Sequence, residues 1–479
     1  MNMKKRSIMM TALMCLMATL SASGKVKTAN VFSDNMVLQQ GKTLRIWGTA
    51  DSGESVSVNV GGHKAKTKAT ADGLWSVAIK PLKASVRPVK FEVKGSGNTV
   101  SLRNVLVGEV WIASGQSNME YSMNNHPQYC KPKKGDADRL LHEYEAACNS
   151  LIRIMYVRKD LKQDTLPTAG WQTLGRESLR PFSAAAYFFA KALQDSLKVP
   201  IGVVSTAWGG TPIEDWTPSD AYKGHPRLAR LATRHLGNRY NRMVKPIAPM
   251  TVRGFLWYQG EANLVKGETS LYADRMEAMV EAWRKEWVDT LLPFYYVQIS
   301  PFRYSSRRKD LVAKTWQDLP RFWEAQTSCL SRIPRSGMVV TTDIPEDLGD
   351  IHPPYKWTVG ERLAKLALNK TYGRTDVVAE GPTMRSVSRD GDSIVVEFDN
   401  AEGGLVTRNG KAPDWFVAVV KGKYASVKAR IDGNKVIVSG QKMDSPLTLN
   451  FGWDETAQPN LTNKAGLPAL PFRYSERKK

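Results

Sequence analysis

Residues 105–113 read Val-Leu-Val-Gly-Glu-Val-Trp-Ile-Ala, apolar at nearly every position, with none of the alternation expected of a strand that faces water on one side. Continuous apolarity over this length predicts a strand covered on both faces, as in a parallel sheet. Similar runs recur at 151–157, 201–205, 252–258, 294–299 and 338–341. Between them lie stretches of helical period. Ser183 is placed to cap a helix over 184–197 that ends before Val199-Pro200. Ser270 is placed to cap another, with Leu271, Met276, Met279, Val280, Trp283 and Trp287 near one face. A last helix carries Val359, Leu363, Leu366 and Ala367 and stops by Gly373. Strands alternating with helices predict an α/β unit with a parallel sheet and flanking helices over 105–373. On either side the pattern changes to short strands separated by Gly, Asp and Ser turns. Examples are 44–47, 55–60, 75–79 and 90–93 before it, and 393–398, 415–420, 435–438 and 447–451 after it. Small β-sandwich-like units are therefore expected over 25–104 and 374–479.

The first 24 residues stand apart. Lys4, Lys5 and Arg6 precede an apolar run over 7–20 and then small residues at 21–24, which is the layout of a cleaved export signal. The chain is expected to be exported, to a periplasm or beyond, and no second apolar run is long enough to span a bilayer. Loss of that segment leaves Cys130, Cys148 and Cys329, an odd number that excludes a fully paired disulfide scaffold. Cys130 and Cys148, close in sequence, are open to pairing in an oxidising compartment. No Cys or His grouping has zinc-ligand spacing, so neither metal nor cofactor is implied. The formal charge of +22 drops by the three signal residues to +19. Because the Lys and Arg are scattered among acids, they imply a solvated surface rather than a nucleic-acid stripe, with attraction of anionic glycans secondary.

Chemistry enters at the strand ends. The run over 105–113 leads into Gly115-Gln116-Ser117-Asn118, a turn that would expose the Ser117 hydroxyl where open α/β sheets place their ligands. A nucleophilic serine needs a base and oxyanion donors. Of six His, one stands out as a base: His352, in Asp347-Leu-Gly-Asp350-Ile-His352, follows the last strand and precedes the last helix. The strand near 201–207 leads into Trp208-Gly209-Gly210-Thr211, whose glycines can aim N–H groups at an oxyanion. The strand near 252–258 leads into Gln259-Gly260-Glu261-Ala262-Asn263, with amides at two positions. Trp208, Trp216, Trp257 and Tyr258 are open to two readings, sugar stacking and core. Glu214 and Glu261 are placed either to bind hydroxyls or to hold loops.

Gly115-Gln-Ser-Asn-Met119, Ala207-Trp-Gly-Gly-Thr-Pro212, Trp257-Tyr-Gln-Gly-Glu-Ala-Asn263 and Asp350-Ile-His-Pro353 resemble, in order, the four motif blocks of the sialate O-acetylesterase family within the SGNH hydrolases. Segments at 31–39, 451–453 and 466–472 resemble the family's opening and closing signatures, so the likeness spans nearly the whole chain after the signal. The resemblance implies an SGNH-type sheet and a serine esterase that removes O-acetyl groups from sialic acid or a glycan bearing it. It implies Ser117 as nucleophile and His352 as base. The oxyanion hole it implies combines the Ser117 N–H, Gly209 or Gly210, and a side-chain amide, Gln259 or Asn263. Gln116, Trp208 and Glu261 are expected to contact substrate. Many SGNH enzymes keep an Asp three residues before the His, but position 349 is Gly here, so Asp350 is the expected orienting acid, or a Ser–His dyad operates. An acetylated xylan or pectin is the alternative substrate, and an inert glycan-binding protein the alternative function. A Gly-x-Ser-x-Gly lipase is disfavoured because Met119 replaces the final Gly.

Overall fold

The computed structural model describes residues 25–125, 132–133, 135–160, 165–231, 236–306, 315–440, 443 and 446–476. The expected export signal lies outside these residues, as do His126, His235 and Cys130, and with Cys130 its pairing to Cys148.

The long strand Thr99–Gly115 organises the fold. Its first half alternates between exposed and half-buried positions and pairs antiparallel with Ser85–Lys94. From Val105 onward every residue is buried, and the strand becomes the centre of a parallel sheet. The border expected at 104/105 therefore falls inside one strand. Across the α/β unit the strand order is Thr168–Thr173, Ile152–Val157, Ile201–Ala207, Thr99–Gly115, Gly254–Tyr258, Phe294–Val297, Ser336–Val339. All are parallel except the edge strand Thr168–Thr173, which the sequence pattern did not reveal. The chain first winds to one side of the long strand and then to the other, so the direction of winding reverses at the centre of the sheet. Open α/β sheets bind ligands at such a reversal, beyond the carboxyl ends of the strands.

Helices cover both faces. Ala184–Leu197 and Lys356–Leu366 share a core with Trp111, Ile154, Val203 and Leu256 on one face. Thr269–Glu286 and Asp318–Arg332 share the other with Ile112, Val204, Phe255 and Tyr296. The expected Ser183 cap is present, its hydroxyl accepting the Ala186 N–H at 3.2 Å. Ser270, by contrast, lies inside its helix, which starts at Thr269 after Glu268. Asp318–Arg332 was not expected at all. It buries Phe322, Trp323 and Cys329, and burial pushes the Cys329 thiol up to about 12, as suits an inert core residue.

The first β unit continues the same core, from Val26 and Ile46 through Phe91 and Val105 to Phe255. The last forms a core of its own between two four-stranded antiparallel sheets. One has the order Thr383–Asp390, Ser393–Asp399, Lys435–Gly440, Val427–Asp432. The other runs Lys423–Ala425, Phe416–Val420, Leu447–Phe451, Phe472–Ser475. No helix among the described residues is long and apolar enough to cross a membrane.

Candidate active site

Gly115 ends the long strand at φ +142°, and a Cβ there would lie 2.2 Å from the Tyr258 carbonyl oxygen on the neighbouring strand. Only glycine permits so close an approach of two backbones. Gln116 N–H then donates to that same oxygen at 3.0 Å, and the short helix Ser117–Glu120 begins at once. Ser117 is thus the first helical residue, at the end of the central strand. Its N–H has no protein acceptor among the described residues, as befits the first turn of a helix.

Ser117 lines a cavity of about 580 Å³ together with Gln116, Glu120, Lys159, Gly209, Gly210, Glu261, Lys266 and His352. The sequence-expected nucleophile and base therefore face one space. His352 Nδ1 lies 3.4 Å from Asp350 Oδ1, and the same oxygen accepts the His352 N–H at 2.9 Å. The Asp350 carboxylate is thus fixed beside the imidazole by the backbone of the loop that both occupy. Catalytic hydrogen bonds are commonly long before substrate binds.

Gly209 packs on the nucleophile, since a Cβ there would stand 3.3 Å from Ser117 Cβ and 3.0 Å from Glu120 Oε2. Its N–H already donates to the Glu120 carboxylate. Gly210, at φ +73°, lines the cavity with its N–H unengaged among the described residues. Gln116 is pinned through its carbonyl: Oε1 accepts the N–H groups of Gly260 at 3.3 Å and Ala262 at 3.2 Å. Its NH₂ group has no acceptor among the described residues and is left for the cavity.

The side-chain amides expected in the oxyanion hole are a correction. Gln259 and Asn263 are fully buried and do not line the cavity. Gln259 Nε2 donates to Thr211 O and Asn263 Oδ1, at 3.2 and 2.8 Å. Asn263 Nδ2 donates to Glu214 and Glu268, at 2.9 and 2.8 Å. Every amide hydrogen is used to tie two strand-end loops together, so these residues are scaffold. Glu214 belongs to the same scaffold through Arg275, 2.5 Å away. Burial, above all, raises the pKa of Glu214, against the pull of that guanidinium.

The aromatics divide in the same way. Trp216, Trp257 and Tyr258 are core. Trp208 does not line the cavity, and Arg239 lies over its ring at 4.4 Å, a cation–π contact that occupies one face. Glu261 does line it. Its Oε1 accepts Asn118 Nδ2 at 2.6 Å, while Oε2 is buried without a protein partner among the described residues. Burial raises its pKa.

Three charged cavity residues were missed by sequence reasoning: Glu120, Lys159 and Lys266. Lys159 pairs with Glu120 at 2.5 Å, whereas Lys266 is exposed and makes no ion pair among the described residues. Glu120 follows Gln116-Ser117-Asn118-Met119 directly, and that proximity is the signal that could have found it. Nothing local marks the two lysines. No group of three His, Cys, Asp or Glu among the described residues could hold a metal ion.

Residues 107–369 match the family model described as carbohydrate esterase, sialic acid-specific acetylesterase. A human sialate O-acetylesterase is 29% identical over 418 residues, covering 78% of this chain and 76% of its own length. Its mouse counterpart is 27% identical over 428 residues, covering 77% of each. Among solved structures, a carbohydrate acetylesterase from Xanthomonas citri superposes with a TM-score of 0.82 at 32% identity, covering 94% of this chain and 99% of that one.

Proposed function

Because the chain belongs to the carbohydrate esterase family of sialic acid-specific acetylesterases, we propose that this ester hydrolase deacetylates O-acetylated sialic acid through an acyl-enzyme on Ser117. The observation that carries the reading is the shared cavity: Ser117 and His352 line one space at the carboxyl end of the sheet, where its winding reverses. His352 accepts the Ser117 proton as the hydroxyl oxygen attacks the acetyl carbonyl, and Asp350 holds the imidazole in position. The developing oxyanion is received by the N–H groups of Ser117 and Gly210 and by the pinned amide of Gln116. His352 then protonates the departing sugar oxygen. Water activated by the same imidazole attacks the acetyl-enzyme, releasing acetate and restoring Ser117.

Glu261 lines the cavity beside Ser117, where its carboxyl group suits a sugar hydroxyl. Lys266 at the rim suits a carboxylate, which supports an acidic sugar over a neutral polysaccharide. Export follows from the first 24 residues, and amino-terminal sequencing of the mature protein tests it.

Acetate release from O-acetylated sialic acid should fall on the order of 10³-fold or more in Ser117→Ala. Retention of wild-type turnover by that variant would remove Ser117 from the mechanism. Faster turnover by the wild-type enzyme on acetylxylan than on O-acetyl sialic acid would replace the substrate.

A further inference from the structure

Lys356 occupies an expensive position. It is completely buried, and it opens the helix Lys356–Leu366, the end at which the backbone dipole disfavours a cation. Burial lowers its pKa to about 7, against the attraction of Glu261 and Asp350. A lysine is rarely placed so for stability alone, because an apolar side chain of similar volume would avoid the desolvation.

Its contacts explain the position. Nζ donates to Asn118 Oδ1 at 2.6 Å and to Pro353 O at 2.9 Å, with the Tyr121 ring at 4.7 Å and the Tyr258 ring at 5.6 Å. Asn118, the residue after Ser117, donates in turn to Ile351 O at 3.1 Å and to Glu261 Oε1 at 2.6 Å. The carbonyls on either side of His352, those of Ile351 and Pro353, are therefore each held by one member of a bridged pair. That pair is anchored on the nucleophile's own helix and on the buried Glu261.

We infer that Lys356 and Asn118 form a clamp that sets His352 at its working distance from Ser117, Lys356 acting as a positioning residue. The loop holding His352 has no helix or strand of its own to fix it, and the clamp replaces that support. Misplacement of a catalytic group by about 1 Å costs on the order of 10²-fold in rate. Neither clamp residue contacts the cavity, so substrate binding should be spared.

The inference rests on the Ser117–His352 reading, and Ser117→Ala separates the two: activity that survives that change overturns the reading and the clamp with it, whereas activity lost there but kept in Lys356→Met overturns the clamp alone. The test is steady-state hydrolysis of p-nitrophenyl acetate by Lys356→Met, Asn118→Ala and the double variant, with circular dichroism to verify folding. Each single change should lower kcat about 10²-fold with KM within about twofold. The double variant should lose no more than the worse single one, because either change releases the same loop. A folded Lys356→Met with unchanged kcat overturns the clamp. So do losses that multiply to about 10⁴-fold in the double variant, or a rise in KM at constant kcat. Should Lys356→Met not fold, Asn118→Ala decides alone by the same split of kcat from KM.

Discussion

Lys266 and Lys356 show how differently one residue type acts at one site. Lys266 is exposed on the rim of the cavity and makes no ion pair among the described residues, so its charge is available to an acidic sugar. Lys266→Glu should raise KM for O-acetylated sialic acid about tenfold or more and leave KM for a neutral acetylated sugar within about twofold. Equal effects on both substrates would deny it a role in selecting the acid. Lys356 is buried, and its titration bears on stability. Its folded pKa, about 7, lies below the unfolded value of 10.5. Between those values the unfolded chain binds more protons, so this residue's contribution to stability rises with pH and its penalty is complete below pH 7. Glu261, whose pKa is raised by burial, acts in the opposite sense at lower pH, because there the folded state is the one that keeps the proton. Urea unfolding at pH 7, 8 and 9 should show wild type gaining on Lys356→Met by up to about 1.4 kcal/mol per pH unit. Parallel curves would mean that the lysine titrates elsewhere. At this scale the meeting of Ser117 and His352 at one cavity was legible, because each stands in a polar turn after an apolar strand. The roles of Gln259 and Asn263 were not, since a carboxamide's task depends on which acceptors the fold brings to it, and here they are Thr211 O, Glu214 and Glu268.

Among the elements, the central strand carries a charge that only its neighbours account for. Glu109 is buried at the amino end of the parallel part, held by Arg253 at 2.6 and 3.0 Å, by Gln39 and Gln40 at 3.0 and 2.7 Å, and by the Tyr372 hydroxyl at 2.9 Å. One carboxylate thus joins the first β unit, the sheet and the end of the last helical segment. Removing its guanidinium leaves a buried charge poorly compensated. Arg253→Met should lower the unfolding free energy by about 3 kcal/mol, read by urea denaturation, while kcat of the folded fraction stays within about twofold because the site lies at the opposite end of the strands. A loss below about 1 kcal/mol would show that the three remaining donors suffice. Elements with continuous apolar runs or a clean cap were legible. The helix Asp318–Arg332 was hidden by Pro320 and by polar residues such as Gln326, Thr327 and Ser328. The edge strand Thr168–Thr173 has only Gly170 and Trp171 buried, too little pattern to read.

At the scale of the whole molecule, the two β units relate to the sheet in different ways. The first shares its core and one unbroken strand with the sheet, whereas the last has its own core. The last unit touches the catalytic unit through Ala457 and Leu470, which join the catalytic unit's core, and through polar contacts: Ser305 N–H to Glu455 at 2.9 Å, Gln458 to Pro345 O at 2.6 Å, and Arg473 to Glu324 at 2.9 Å. A fragment of residues 374–479 should therefore unfold cooperatively by itself, being of a size that supports an independent core. A fragment of residues 25–104 should not, because its core is completed by the sheet. Thermal unfolding followed by circular dichroism checks both, and a cooperative transition in the shorter fragment would contradict the shared core. The alternation of most strands and helices, the turns that close the central strands and the serine and histidine that face the cavity were determined by the sequence alone. Periodicity and turn chemistry are local properties, and the chain states them directly. Tertiary structure decided which amides are free and which are scaffold, that Glu261 lines the cavity with one oxygen held by Asn118, and that Lys356 lies buried beside the helix of Ser117. These depend on burial and on partners as far as 238 residues away in the chain, and only the packed fold brings such partners together.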